Sequence, residues 1–325
     1  MRSPVKPDDD DPDDTWVSPV ATCVSSVRTE AKKKNHDSEG NDNKKYVESR
    51  WSDLCATLPP AGAQKVRRAL KESEEAKSDE TTLLKRWLDH VERVPWNKTS
   101  PPLVESRDND TGKRSEVLDR ARGQLDAFAH GMTNAKEAIV MLIGKMLRAP
   151  DAPVRALGIQ GPPGCGKTMF ASRAIAAGMK RPSYVINVGG ARDACLLVGH
   201  EYTYKAARPG RVFDALAHTG VRDPVLVIDE VDKVNGDQGR DIVHRLMALV
   251  DPVQNRCFVD DYLSADLPID MSRAFLVFTF NDASQVDPIL LDRINVISMP
   301  APSKKDKLTI ARDYILKRIS KEYGG

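Results

Sequence analysis

The stretch "GIQGPPGCGKTMF", Gly158 to Phe170, decides how the rest of the chain is read. Within it Gly161-x-x-x-x-Gly166-Lys167-Thr168 has Walker A spacing, with the apolar run "ALGIQ" leading in and a helix-forming run leading out. The residue types suit a phosphate cradle. Gly161, Gly164 and Gly166 let successive backbone N–H groups turn inward, with Pro162, Pro163 and Cys165 between them. The N-terminus of the following helix adds partial positive charge. Lys167 then reaches the β and γ phosphates, and Thr168 offers its hydroxyl to Mg²⁺. Cys165 reads as a small filler.

Downstream, short β-rich runs alternate with helical stretches: "ALGIQ", "SYVIN", "PVLVIDE", "AFLVFTF" and "NVISM". Such alternation predicts an α/β fold, a mostly parallel sheet with helices on both faces. "PVLVIDEVDK" gives a strand ending in Asp229 and Glu230, and acids at the C-terminal end of a buried strand stand where open α/β sheets bind ligands. Asp229 suits Mg²⁺, and Glu230 suits a general base that polarises the attacking water. "FLVFTFND" ends in Asn281, either a strand-end cap or an amide that orients the lytic water. "PILLDRINVI" places Arg293 after a short apolar helix, as a surface ion pair or as a group projecting into a neighbouring subunit's site.

The chain has 325 residues, 40% of them hydrophobic, with a formal charge of only +2, so the charge balance indicates neither nucleic acid nor a membrane surface as partner. Its five cysteines, Cys23, Cys55, Cys165, Cys195 and Cys257, are scattered and never spaced C-x-x-C, which fits a reducing compartment. Neither a signal peptide nor a spanning segment is evident, and the expectation is an intracellular, cytoplasmic protein. Residues 1–45, with "DDDDPDD" and "AKKKNHDSEGNDNKK", read as a disordered charged tail. Residues 46–97 read as a helical arm, since "TTLLKRWLDHVERVPW" sets Leu83, Leu84, Trp87, Leu88 and Val91 on one stripe before Pro95. A polar linker follows at 98–117, then the α/β nucleotide-binding domain at 118–302 and a final helix at 303–325.

"GHEYTYKAARPG", Gly199 to Gly210, sets Tyr202 and Tyr204 in a segment too short and interrupted for a helix. On the residues alone the two rings are either packed onto the body or presented on a loop.

Taken together, "GPPGCGKT", "GGARDACLLVGHEYTYKAARPGRVFDAL", "LVIDEVDK", "LMALVDPVQNRCFVDDYL" and "PILLDRINVI" resemble the AAA+ module of Lon, the ATP-dependent protease. "LLKRWLDHVERVPW" and "LDAFAHGMTNAKEAI" are similar to the segments preceding the Lon ATPase, so the likeness runs roughly from Ala56 to Tyr323. The resemblance implies a P-loop NTPase AAA+ core with a parallel five-stranded sheet preceded by a helical arm. It implies ATP and Mg²⁺ as ligands, with Lys167, Thr168, Asp229, Glu230, Asn281 and Arg293 in the roles above. It also implies a homo-oligomeric, hexameric ring acting on unfolded polypeptide, with Tyr204 on the pore-facing loop that grips substrate.

The departures carry expectations too. Ala129-His130-Gly131 stands where the family has His-Tyr-Gly, leaving His130 as the ring beside adenine, and Lys205 follows the pore tyrosine where the family has an apolar residue. The sequence stops at Gly325, before the lid arginine and the Ser-Lys protease domain, so peptidase activity is not expected from this chain alone. ATP hydrolysis coupled to remodelling or threading of proteins is the leading expectation. The alternatives are a nucleotide-dependent adaptor of a full-length Lon, working with a lid or protease subunit in trans, and a gene fragment without function.

Overall fold

The computed structural model describes residues 49–75, 79–103, 111–149, 156–204, 206–234 and 237–323. The tail read at 1–45 and the Lys205 position lie outside them. Residues from Asp53 onward belong to one compact unit. After a helical stretch at 49–57 come two arm helices, α1 (Pro60–Glu75) and α2 (Asp79–Arg93), then α3 (Thr111–Phe128) and α4 (Thr133–Arg148). Helix α3 begins inside the stretch read from sequence as linker to 117. "TGKRSE" carries no apolar residue until Val117, so its opening turns lack a periodic signal, although Val117, Ala121 and Leu125 then bury at four-residue intervals.

The strands β1 (Ala156–Gln160), β2 (Ser183–Asn187), β3 (Val225–Asp229), β4 (Phe275–Phe280) and β5 (Ile294–Ser298) form one parallel sheet in the order β2-β3-β4-β1-β5. This is the α/β parallel sheet that the alternating pattern predicts, with the five strands that the family resemblance implies. β1, β3 and β4 are apolar almost throughout because both their faces are covered. On one face Leu157, Ile159, Val225, Val227, Phe275 and Val277 share a core with α3 and α4, through residues such as Leu125, Ile139 and Ile143. The residues alternating with them, including Leu226, Ile228 and Phe278, are equally buried on the other face.

Between the strands run α5 (167–179), α6 (Cys195–Val198), α7 (Arg211–Thr219), α8 (Asp237–Val250) and α9 (Pro288–Asp292), and α10 (304–323) follows β5. Helix α5 contains a π turn at Phe170–Ile175. Asp287 caps α9 by accepting the N–H groups of Ile289 and Leu290, with Pro288 in the first turn. A capping box between Ser303 and Asp306 starts α10.

The strand order positions the site. β4 lies between β1 and β3, so the C-terminal ends of the strand feeding the Gly-rich loop and the strand carrying Asp229 flank the end of β4.

Candidate active site

The loop after β1 is tied to its neighbours. Gly161 N–H donates to the Phe280 carbonyl at 3.3 Å, and Met299 N–H donates to the Gln160 carbonyl at 2.7 Å. Gly164 (φ 75°) and Gly166 (φ 91°) take the left-handed conformation that turns the backbone back on itself. Pro162, Pro163 and Gly164 are exposed at the rim. Cys165 instead points into the apolar core with α3 and α4, as a small filler would.

Lys167 is only 9% exposed. Its ammonium donates to the carbonyls of Gly161 (2.9 Å) and Pro162 (3.0 Å) and to Asn281 Oδ1 (2.9 Å). All three oxygen acceptors are neutral, and among the described residues no carboxylate pairs with the ammonium. A nearly buried cation of this kind at the mouth of a loop whose backbone turns inward fits an incoming polyphosphate.

One residue on, the Thr168 hydroxyl lies 3.0 Å from Asp229 Oδ2 and 3.2 Å from Oδ1, and the Thr279 hydroxyl donates to Asp229 Oδ1. A hydroxyl and a carboxylate side by side are hard oxygen donors, and they fit Mg²⁺. The Asn281 backbone N–H is held by Asp232 Oδ2 at 3.1 Å, and the side-chain oxygen is held by Lys167. Lys167 with Asn281, and Thr168 with Asp229 and Thr279, form two hydrogen-bonded sets that adjoin at the Lys167–Thr168 peptide, one network at the ends of β1, β4 and β3.

Glu230 sits at its edge, exposed, with φ 63° and ψ 43°. A glutamate in this region carries strain of about 1–3 kcal/mol. Its N–H donates to Thr279 Oγ1 at 3.4 Å, and its carboxylate lies where a side chain at Gly189 would have to go. A Cβ at Gly189 would require the Glu230 side chain to shift.

Arg293 is not brought to this network. It caps the C-terminus of α9, and its Nη1 lies 2.9 Å from Asp251 Oδ2, 40% exposed on the arginine side. The Asp251 carboxyl is held below its ordinary range, first by the N–H groups of Val253 and Gln254 and then by Arg293. The register pairs Ala156 with Ile294, so Arg293 precedes the start of β5 while the loop follows the end of β1. A five-residue strand separates them, about 16 Å at the usual rise. His130 stands in the turn between α3 and α4, its Nε2 3.3 Å from Asp306 Oδ1 and its ring 6.4 Å from Tyr314, so α10 holds it.

The two tyrosines of the 199–210 segment part company. Tyr202 stacks obliquely on Trp87 of α2, ring centroids 5.5 Å apart, and Lys65 Nζ lies 5.9 Å from the indole and 5.7 Å from the phenol ring. Tyr204 is 66% exposed. The base of the segment is closed by His200 N–H to the Arg208 carbonyl (3.1 Å) and by Gly210 N–H to Asp260 Oδ2 (2.9 Å). Asp260 is fully buried and also accepts the N–H groups of Tyr262 and Leu263, while burial pushes its carboxyl up to about 7.

Sequence reasoning missed Thr279, Gly189, Asp232 and Asp260. Thr279 alone left a signal, the one hydroxyl in "FLVFTF".

Fold and network together define a P-loop α/β domain, and residues 157–300 match the family described as "ATPase family associated with various cellular activities (AAA)". Among relatives, the mitochondrial Lon protease homolog of Yarrowia lipolytica is 35% identical over 293 residues, 87% of this chain and 23% of the relative. The Lon protease of Halothermothrix orenii is 35% identical over 76% of this chain and 30% of its own length. That of Aquifex aeolicus is 31% identical over 85% and 33%. The chain thus carries an AAA+ module of the Lon family, and it spans between about a quarter and a third of the length of these relatives. No helix among the described residues is long and apolar enough to cross a membrane.

Proposed function

We propose that this chain binds ATP with Mg²⁺ and hydrolyses it, and that in a homo-oligomeric, hexameric ring the turnover moves unfolded polypeptide past Tyr204. The observation that carries the reading is the network at the ends of three adjacent strands, in which a nearly buried lysine charge faces neutral acceptors beside a hydroxyl–carboxylate pair. Lys167 exchanges its carbonyl partners for β- and γ-phosphate oxygens, which supply the negative charge that carbonyls lack. Thr168 and Asp229 hold Mg²⁺, whose contribution when bound is to neutralise charge developing on the phosphates. Thr279 fixes the Asp229 carboxylate. Asn281, its oxygen engaged by Lys167, presents its NH₂ edge to the lytic water, and Glu230 accepts that water's proton.

Arg293 lies too far along the sheet to serve its own loop, which supports a role at a neighbouring subunit. His130 would lie beside the base. Among the described residues Cys55, Cys165, Cys195 and Cys257 are free, which suits a reducing compartment such as the cytoplasm.

The test is a pair of variants measured by calorimetry and phosphate release. Lys167→Ala should lose ATP binding, whereas Glu230→Gln should bind ATP as the parent does and lose turnover. Undiminished affinity in Lys167→Ala would overturn the nucleotide assignment, and full turnover in Glu230→Gln would remove Glu230 as the base.

A further inference from the structure

Away from the phosphate loop, one mixed set of donors converges. Asp193, Cys195 and His200 lie within eight residues of chain, and a carboxylate oxygen, the sulfur and an imidazole nitrogen all fall within 4.8 Å of one another. Backbone structure brings them together. Asp193 Oδ1 accepts the N–H of Cys195 at 2.9 Å at the start of α6. The chain then reverses at Gly199 (φ 76°, ψ −166°), and the His200 N–H is held by the Arg208 carbonyl, which returns the imidazole over the helix start.

We propose that Asp193, Cys195 and His200 form a binding site for a zinc-class divalent cation. A carboxylate, a thiolate and an imidazole are the donor types that a borderline-soft cation takes in tetrahedral coordination, with water as fourth ligand, whereas Mg²⁺ and Ca²⁺ take oxygen. Bonds of about 2.0–2.3 Å place tetrahedral ligand atoms roughly 3.5 Å apart, so the trio must close by about 1 Å. Asp193 and His200 are exposed and can turn about their side-chain bonds to do so.

As the sulfur–metal bond forms, the cation displaces the thiol proton to solvent. In the occupied site a carboxylate and a thiolate balance the two charges of the cation, and the imidazole adds a nitrogen donor. Asp261, whose N–H donates to the Val198 carbonyl of α6 at 2.7 Å, adds negative charge nearby, although Arg245 Nη2 lies 3.4 Å from it. The site is at the entry to the segment carrying Tyr204, so an occupied site ties His200 to α6. It does not depend on nucleotide, and its test needs no ATPase activity.

The experiment titrates the full chain, free of nucleotide and Mg²⁺ and with a non-thiol reductant, with Co²⁺ as a spectroscopic stand-in for zinc. One Co²⁺ per chain should bind with thiolate-to-metal charge-transfer absorption and the visible bands of tetrahedral cobalt, and Zn²⁺ should bleach both. Cys195→Ser should abolish the charge-transfer band, and His200→Gln should weaken binding about 10-fold or more. Cys257→Ser, which removes an exposed thiol elsewhere, should change nothing. His200→Gln lies at an exposed position and carries the test if Cys195→Ser folds poorly. Absence of a charge-transfer band in the parent, its persistence in Cys195→Ser, unchanged affinity in His200→Gln, or loss of the band in Cys257→Ser would each overturn the site.

Discussion

Removing Tyr202 and Tyr204 one at a time separates a packing ring from a presented one. Tyr202 loses an aromatic pair with Trp87, about 0.5–1.5 kcal/mol, and a cation–π contact with Lys65, about 0.5–1 kcal/mol. Its half-buried area adds about 1 kcal/mol. Tyr202→Ala should therefore cost about 2–3 kcal/mol, which for a chain of this size lowers the melting temperature by about 5–10 °C. Tyr204, 66% exposed, should cost no more than about 0.5 kcal/mol, a shift of about 1–2 °C. The assay is thermal unfolding of both variants beside the parent, followed by ATP turnover with and without an unfolded protein. Tyr204→Ala should keep its melting point and basal turnover and lose the stimulation. A Tyr204→Ala variant that melts as low as Tyr202→Ala would refute the division of the two rings. One that melts normally and still responds fully to unfolded protein would refute the gripping role.

Thr279→Val removes a hydroxyl donor to the Asp229 carboxylate, a charge-assisted bond worth about 1.5–3 kcal/mol. It should raise the Mg²⁺ concentration needed for half-maximal turnover, with Thr279→Ser restoring it; parental Mg²⁺ dependence in the valine variant would show that the bond is idle. Arg293→Ala should cost under about 1 kcal/mol of stability, since its ion pair with Asp251 is partly exposed, yet lower turnover by up to about 10³-fold in the assembled state. Asp251→Asn breaks the same pair and should keep turnover, and an equal loss in both would mean that the pair matters and not the reach of the arginine. For pH, the Asp260 carboxyl is raised to about 7 from an ordinary 3.8, so the folded chain holds a proton that the unfolded chain has released. The contribution to stability is full below the unfolded value and is lost as pH rises through the folded one. The unfolding free energy of the parent, less that of Asp260→Asn, should fall by up to about 1.4 kcal/mol per pH unit between about pH 4 and pH 7, measured by urea titration. A flat difference would place the Asp260 titration elsewhere.

What could be read in advance follows a physical pattern. The loop at 161–168 is contiguous, and each β run is short, apolar and bounded by turns, so local sequence carries both. The order of strands is not local. No pattern in "FLVFTF" says that β4 inserts between β1 and β3, and only that insertion brings Thr279 to Asp229 and Asn281 to Lys167. The space that Gly189 leaves for Glu230 depends likewise on the pairing of β2 with β3. The tyrosines were ambiguous because the ring that sorts them, Trp87, lies far upstream on α2. The early start of α3 was hidden because its opening turns contain no apolar residue, and periodicity registers only buried faces.

Trp87 also limits how this molecule can be cut. Its ring is 1% exposed, its Nε1 donates to the Tyr262 carbonyl at 3.1 Å, and its face bears Tyr202. A clone trimmed to the matched residues 157–300 would forfeit that ring together with Leu125, Ile139 and Ile143, and would turn the apolar face around Leu157, Val227 and Val277 out to water. Such a trimmed piece should precipitate, whereas one begun before α1 keeps both faces of the sheet dry. The stretch that the AAA family description matches is shorter than the compact unit that begins at Asp53.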